Sequence, residues 1–327
     1  MQHIRDRLET HQVAIYFCTV AVALGLSTQV VGTQRLESAI NPALVLMLFV
    51  TFLQVPLAEL GQAFSRVRFL AALLITNFAL VPLLVAVLVQ FLPPDPLIRL
   101  GVLMVLLTPC IDYVVTFAHL GRADARLLLA ATPTLLIAQM LLLPVYLRVF
   151  LGDAAAGLMQ LGPFVHAFVW LIAVPLVLAA VVQLWAAKSP IGLRASSVLG
   201  LLPVPATALV LFIVILAVVP QLGSAIDAAL SVVPLYIAFA LAAPLIGWGV
   251  SRLFRLDAPA GRAVAFSAGT RNSLVVLPLA LVIPGAIPIL PTIIVTQTLV
   301  ELTAELVYVR WLAQFGRKRE LASSVPP

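Results

Sequence analysis

The chain carries little charge. Only 10% of its 327 residues are Asp, Glu, Lys or Arg, whereas 63% are hydrophobic and the mean hydropathy is +1.16. A soluble globular protein needs a far larger share of polar residues to cover its surface. The composition therefore argues against an ordinary soluble domain and predicts an integral membrane protein.

Residue types that carry enzyme chemistry are scarce as well. The two cysteines, Cys18 and Cys110, both fall inside apolar runs and give no disulfide framework. The four histidines lie at or near the ends of such runs and have no metal-ligand spacing. No glycine-rich phosphate loop, Ser-His-Asp arrangement or catalytic carboxylate pair is recognisable in the sequence. Neither an enzyme nor a bound cofactor is expected.

Long apolar runs, by contrast, recur along the whole chain. A helix needs about 20 apolar residues to cross the ~30 Å hydrocarbon core of a bilayer. Ten runs of suitable length are separated by short breaks that contain Pro, Gly or charge. The ten predicted spans are residues 13–31, 42–60, 69–92, 97–119, 127–150, 163–187, 196–219, 229–251, 261–284 and 288–312.

The basic residues predict how these spans are oriented. With a cytoplasmic N-terminus, ten spans place 15 Lys and Arg residues inside and 3 outside, and Arg271 lies within a span. Both termini are therefore expected in the cytoplasm, in the cell (inner) membrane. No linker separates domains, so residues 1–327 are predicted to form a single membrane domain with 313–327 as a basic tail. The basic residues are scattered without aromatic platforms, so no nucleic-acid partner is expected.

The sequence also repeats itself weakly at half its length. NFALVPLL (77–84) resembles AFALAAPLI (238–246), and VYLR (145–148) resembles VYVR (307–310), at a shift of 161–162 residues. Each half then holds five spans, an odd number, so the second half enters the membrane inverted, as in many secondary transporters. We predict an all-α polytopic membrane protein of ten helices in two inverted five-helix repeats, about 13–150 and 163–312.

Two of the predicted spans carry a full charge beside helix-breaking sequence. Asp112 follows Pro109 in the fourth span, and Arg271 follows Gly269 in the ninth. A charge at the centre of a spanning helix costs roughly 2.5–3.5 kcal/mol on insertion scales, so both are expected to face partners or a polar cavity. Paired interrupted helices indicate the binding site of a secondary transporter. The alternative is that Pro109 and Gly269 are ordinary kinks in packed helices.

The predicted site is built from the exposed backbone of the two breaks and from the polar side chains around them. Its candidate solute-binding residues are Thr108, Cys110, Asp112, Thr270, Arg271, Asn272 and Ser273, with Asn77 of the third span as a further candidate. The alternative for Asn77 is a hydrogen bond to neighbouring backbone.

Acidic residues on the tenth span suggest how transport is coupled. Glu301 and Glu305 are four residues apart and therefore share one helix face. Asp112 and Glu301 give two carboxylates for the single cation Arg271, and the surplus carboxylate could carry a proton. Asp112, Glu301 and Glu305 are the candidates. The alternative is a static hydrogen-bonded network that joins the tenth span to the core.

Over essentially its whole length the chain resembles the bile acid:sodium symporter superfamily, and within it the arsenite-efflux permeases. LLTPCIDYVV places Cys110 where those permeases carry a membrane-embedded cysteine required for transport. FSAGTRNSLVVLPLAL resembles their ninth-span motif, although Leu274 stands where they have a carboxylate. The resemblance implies that the broken fourth and ninth spans cross, and that Cys110 is a soft sulfur ligand for trivalent arsenic. A small apolar filler is the alternative for this cysteine.

The sodium-coupled branch of the same superfamily differs at two positions. The resemblance places its sodium-coordinating Glu and Gln at Ser267 and Arg271 of this chain. A hard cation such as sodium favours several oxygen ligands with carboxylate charge among them, and a guanidinium would repel it. We therefore predict that transport is not driven by sodium and that Arg271 replaces the ion, balanced by Asp112.

Three functional classes follow for a protein whose partners are a small solute and the lipid bilayer. The first is a secondary active exporter of a neutral or anionic solute such as arsenite, coupled to protons or to the membrane potential. The second is an importer of organic anions, in which Arg271 clamps a carboxylate or sulfonate. The third is a non-transporting scaffold or receptor, which two charged breaks argue against because they are costly to keep.

Overall fold

The computed structural model describes only part of the chain, and Asp112 lies outside the described residues. These are residues 7–8, 10–27, 36–54, 66–111, 113–152, 166, 169–220, 225–281, 283, 285 and 288–316. Within them the regular structure is helical, apart from one isolated β-bridge.

The helices of the described part coincide with the predicted apolar runs. They are α1 (Gln12–Ser27), α2 (Glu37–Phe52), α3 (Val67–Phe91), α4 (Pro96–Leu106), α5 (Val114–Leu120), α6 (Ala125–Leu151), α7 (Val174–Lys188), α8 (Pro190–Val218), α9 (Ile226–Leu253), α10 (Ala258–Gly269), α11 (Ser273–Leu281) and α12 (Ile289–Trp311).

Five helices of the described part are long and apolar enough to cross a membrane, namely α3, α6, α8, α9 and α12. The fourth and ninth predicted spans are each divided into two shorter helices, α4 with α5 and α10 with α11. The helices α1, α2 and α7 have 15 or 16 residues. The protein is thus an all-helical membrane protein, and the count of ten spans stays a prediction.

The chain divides into two compact units. The first comprises residues 1–55, 157–228 and 274–292, and the second comprises 56–156, 229–273 and 293–327. In the first unit α8 packs against α1 and α2, and α7 packs against α2. The Gln183 amide of α7 donates to the Phe52 carbonyl at the end of α2 (3.1 Å), which holds these two helices together.

The second unit contains both interrupted helices. Here α10 packs against α3, α5 and α6, and α4 packs against α6. Asp95 and Asp257 set where α4 and α10 begin, because each carboxylate accepts backbone N–H groups of the first turn. Both helices point their C-terminal ends at the same place, where the candidate site lies.

Candidate functional site

The two interrupted segments are joined directly through their backbones. Pro109 and Arg271 form an isolated antiparallel bridge. The Cys110 N–H donates to the Thr270 carbonyl (3.0 Å), and the Asn272 N–H donates to the Thr108 carbonyl (2.9 Å). Backbone groups freed by a helix break are tolerated at membrane depth only when they find partners or line a cavity. Each interrupted segment therefore supplies hydrogen-bond partners for backbone groups of the other segment.

Threonine hydroxyls accompany the ends of both helices that lead into the bridge. The Thr108 hydroxyl lies 2.9 Å from the Met104 carbonyl, and the Thr270 hydroxyl lies 2.7 Å from the Phe266 carbonyl. Such bonds to the preceding turn compete with the helical ladder and favour a bend or an end. These side-chain bonds therefore favour the ends of both helices, and Pro109 adds to the effect after α4.

Gly269 is required by close packing. A Cβ atom at this position would lie 2.8 Å from the Pro244 ring and 2.9 Å from the Tyr308 ring. The backbone of α10 therefore approaches α9 and α12 more closely than any other residue type would allow.

The guanidinium of Arg271 is completely buried and is held mainly by oxygen atoms. It donates to the carbonyls of Leu106 (3.3 Å), Ser267 and Ala268 (2.8 Å). These carbonyls lie in the last turns of α4 and α10, and the C-terminal end of a helix attracts a cation. Among the described residues the guanidinium bonds no carboxylate, and its Nε has no hydrogen-bond partner.

Two side chains from α3 and α9 complete the surroundings of this guanidinium. The Asn77 amide oxygen accepts a hydrogen bond from Arg271 Nη2 (2.8 Å). The Phe239 ring lies 5.4 Å from the guanidinium carbon, within the range of a cation–π contact. Asn77 sits in a π-helical turn, Thr76–Leu80, a feature often found at functional sites.

Glu301 of α12 binds the backbone of the second break. Its carboxylate accepts the Arg271 N–H (2.6 Å), the Gln297 amide (2.5 Å) and the Tyr113 hydroxyl (2.5 Å). Gln297 in turn accepts from the Ser273 hydroxyl. Glu301 therefore fixes the interrupted segment to α12.

Glu305, one turn further along α12, has a different environment. It is fully buried, one of its oxygens contacts the Thr270 hydroxyl, and the other has no partner among the described residues. The Thr270 hydroxyl has a single hydrogen, and the Phe266 carbonyl also lies within its reach. If that hydrogen goes to Phe266, the contact with Glu305 requires a proton on the carboxyl group.

Side-chain contacts in the second unit recur at one constant sequence spacing, which we call the repeat spacing. The Tyr146 hydroxyl donates to the Phe78 carbonyl, and the Tyr308 hydroxyl donates to the Ala240 carbonyl. Tyr146 and Tyr308 are 162 residues apart, and so are Phe78 and Ala240; the repeat spacing is therefore 162 residues. The same step relates the two threonine bonds described above and the Asp95 and Asp257 helix caps. In the bridge, Pro109 pairs with Arg271, the residue that corresponds to Pro109 under the repeat spacing.

The repeat spacing draws attention to Gln139, the counterpart of Glu301, in the middle of α6. Glu301 accepts the N–H of Arg271, whereas the counterpart of Arg271 is Pro109, which has no N–H. Gln139 is completely buried, and neither amide atom has a partner among the described residues. An unpaired buried polar group costs about 1–3 kcal/mol. Gln139 is therefore a candidate contact for a polar solute.

The structure brings most of the sequence-predicted residues together. Thr108, Cys110, Thr270, Asn272 and Ser273 are all buried at or beside the bridge. The amide nitrogen of Asn272 has no hydrogen-bond partner among the described residues. The expected meeting of Asp112 with Arg271 falls outside the described residues and stays a prediction.

Sequence reasoning did not select several residues that hold the site. These are Tyr113 and Phe239, together with the backbone carbonyl groups that surround Arg271. The sequence places Gln297 one turn before Glu301 but does not indicate its bonds to Glu301 and Ser273. The repeat spacing would have led from Glu301 to Gln139. The carbonyl groups belong to apolar or small residues and leave no signal in the sequence.

Comparison with known proteins agrees with this architecture. The model of the Sodium Bile acid symporter family matches residues 41–227, more than half of the chain. The chain belongs to this family and is a membrane transporter. No curated protein is significantly similar to it. The matched region contains Asn77 and the first break, whereas Arg271, Glu301 and Glu305 lie beyond it.

Proposed function

We propose that the protein is a secondary active transporter of a small solute, with ten spans in two inverted five-helix repeats. The backbone bridge between the breaks carries this proposal. Pro109 and Arg271, equivalent under the repeat spacing, pair with each other and exchange flanking hydrogen bonds symmetrically. Such self-pairing is typical of a two-fold relation between repeats. In inverted-repeat transporters the solute binds where interrupted helices meet.

A sodium ion, which the family name implies, does not fit this site. Around the Arg271 guanidinium, the oxygens suited to a monovalent cation are the carbonyls of Leu106, Ser267 and Ala268 and the amide oxygen of Asn77. All four already accept hydrogen bonds from the Arg271 guanidinium. The positive charge of the guanidinium would also repel a second cation bound at the same oxygens. We therefore propose that Arg271 permanently supplies the charge that a coupling cation would bring, with Asp112 as its proposed counter-ion.

The coupling ion is then proposed to be a proton, carried by Glu305. Both oxygens of Glu301 accept hydrogen bonds, from three donors in all, which favours the static role for this residue. Glu305 has one contact and one unpartnered oxygen among the described residues. A group that binds and releases a proton needs an environment that tolerates both states, and the Thr270 hydroxyl can either donate to Glu305 or accept from it.

The proposed solute is an uncharged hydroxylated metalloid such as arsenite, moved outward. Unpaired polar groups at the amides of Gln139 and Asn272, within the described part of the chain, offer hydrogen bonds to a small polar molecule. Cys110 is buried in the bridge beside the segment that holds Asn272, and sulfur is a favourable ligand for trivalent arsenic. The resemblance of the segment around Cys110 to arsenite permeases supports the same solute.

Import of organic anions is the second candidate. It requires the Arg271 guanidinium to clamp a carboxylate or sulfonate with two N–H groups. Nη2 already serves Asn77, Ser267 and Ala268, and Nη1 serves Leu106, so only Nε has no partner in the described structure. This occupancy favours the first candidate.

Growth of an arsenite-sensitive bacterial strain on graded arsenite tests the proposed solute. The wild-type protein should protect the cells, and Cys110→Ser should not, because the buried sulfur ligand is lost. Cys18→Ser is the matched control, since Cys18 is exposed on α1 in the other unit. Protection by Cys110→Ser equal to that of the wild type would exclude a ligand role for the sulfur. No protection by the wild type, at equal expression, would favour organic-anion import.

A further inference from the structure

A cavity rich in arginine lies in the second unit, away from the bridge. Its volume is about 420 Å³, and its lining includes Arg66, Arg68, Arg255 and one acidic residue, Asp257. The Asp257 carboxylate accepts the Ala260 N–H and is thereby engaged in capping α10. The three guanidinium groups therefore give the cavity a net positive charge.

The first turns of three helices also contribute to this cavity. Phe69 belongs to the first turn of α3, Leu127 to that of α6 and Ala260 to that of α10. No side chain caps α3 at Arg66. Helix N-termini carry partial positive charge and present N–H groups to anions. Aspartates already cap α6 and α10, so it is the uncapped N-terminus of α3 that reinforces the charge of the arginines.

The backbone places Arg255 at some cost. Its φ of +55° lies in the left-handed region, which is uncommon for residues other than glycine and is better tolerated by asparagine. The fold nevertheless holds an arginine at this turn, and this residue lines the cavity.

The arginines are absent from the equivalent positions of the other repeat. Under the repeat spacing, Arg66 and Arg68 correspond to Ala228 and Leu230, and Pro93 corresponds to Arg255. Both repeats keep an aspartate that caps a helix, Asp95 in one and Asp257 in the other. The three arginines of the cavity have no arginine at the corresponding positions. The positive charge is therefore an addition to the repeated framework.

We propose that this cavity binds the phosphate group of an anionic phospholipid. The cavity lies at the end of α3, a helix long and apolar enough to span the bilayer, where Val67 is 68% exposed. This is the level of the lipid headgroups, and basic pockets between helix ends recognise anionic headgroups. Because α10 begins in the cavity and ends at Gly269, the bound lipid stabilises the helix that leads to Arg271.

Lipid binding to the full-length protein in a mild detergent tests this proposal. Native mass spectrometry would follow phosphatidylglycerol, with phosphatidylcholine of the same acyl chains for comparison. Arg255→Asn should weaken phosphatidylglycerol binding about fivefold, as expected for one basic residue near an anionic surface. Arg122→Asn is the matched control, because Arg122 is also exposed and left-handed (φ +57°) but does not line the cavity.

Selective loss in Arg255→Asn, and a larger loss in the double variant Arg66→Gln/Arg68→Gln, would support the site. Both asparagine variants should melt at the wild-type temperature in lipid-free detergent. An equal loss in Arg255→Asn and Arg122→Asn would overturn the proposal in favour of diffuse attraction. So would equal binding of the two lipids. Displacement of phosphatidylglycerol by inorganic phosphate at equal concentration would assign the cavity to a soluble anion and likewise overturn the lipid assignment.

Discussion

At the scale of single residues, the surroundings of Arg271 explain how a full charge is stabilised inside an apolar protein. A buried guanidinium without partners would be strongly destabilising. Here the ends of two helices and the Asn77 amide supply oxygen atoms, and the Phe239 ring covers it. The guanidinium bonds carbonyl dipoles rather than a described carboxylate, and the nearby Glu301 carboxylate adds a favourable charge interaction.

Substitution of Gly269 tests how tightly this surrounding is packed. Gly269→Ala should lower the free energy of unfolding by about 1–3 kcal/mol, because the new methyl group overlaps Pro244 and Tyr308. Gly249→Ala is the control, since a Cβ at this position of α9 meets nothing within 4 Å. It should be neutral or raise the stability by about 0.5–1 kcal/mol. Thermal melting in detergent measures both, and equal melting temperatures would exclude the packing role of Gly269.

Individual residues also show what the sequence could and could not predict. Arg271 and Glu301 stand out because a charge within an apolar run is rare and expensive. Tyr113 and Gln139 do not stand out, since tyrosine and glutamine occur in many membrane helices without a special role. Their importance depends on which helices meet, which the sequence of each helix does not contain.

At the scale of helices, α12 positions two carboxyl groups in different surroundings although they are one turn apart. Glu301 faces the bridge and three donors, whereas Glu305 faces the Thr270 hydroxyl. The ionisable groups that interact with Glu305 among the described residues are Glu301 itself and Tyr308. One helix thus combines an anchor and a proposed proton carrier.

Glutamine substitutions on α12 separate these roles. Glu305→Gln should leave a folded protein in which arsenite movement in proteoliposomes no longer responds to a pH gradient, because the amide cannot exchange a proton. Glu301→Gln should lower the melting temperature, since an amide nitrogen would face one of three donors, while the response to pH remains. Loss of the pH response in Glu301→Gln alone would assign the proton to Glu301 and contradict the account.

The breaks themselves could be predicted from the sequence, whereas their pairing could not. Pro109 and Gly269, each beside a charge, predict interrupted helices at the places where α4 and α10 end. The sequence match of FAL at 78–80 with 239–241 suggests a shift one residue shorter than the repeat spacing. The hydrogen bonds of Tyr146 and Tyr308 show the repeat spacing directly. Short apolar matches fix a register poorly because many offsets look alike.

At the scale of the whole molecule, the two repeats carry different residues at equivalent positions of the site. Within the described residues, the first break contributes the uncharged Pro109 and Cys110, and the second contributes Arg271, whose backbone N–H is bound by Glu301; Asp112 of the first break is the proposed counter-ion. The same asymmetry appears at Gln139, whose potential backbone partner is lost at Pro109. A symmetric framework is therefore proposed to carry a fixed cation on one side and an open polar contact on the other.

Melting of the purified protein in detergent tests most directly whether Arg271 occupies the place of a coupling cation. The wild type should melt at the same temperature in sodium chloride and in choline chloride, because the cation-binding oxygens are filled. Arg271→Ala should melt at a lower temperature and recover in part with millimolar guanidinium or methylguanidinium, since a ligand that binds only the folded state raises stability. Stabilisation of the wild type by sodium, or no rescue of Arg271→Ala by either guanidinium compound, would contradict the account.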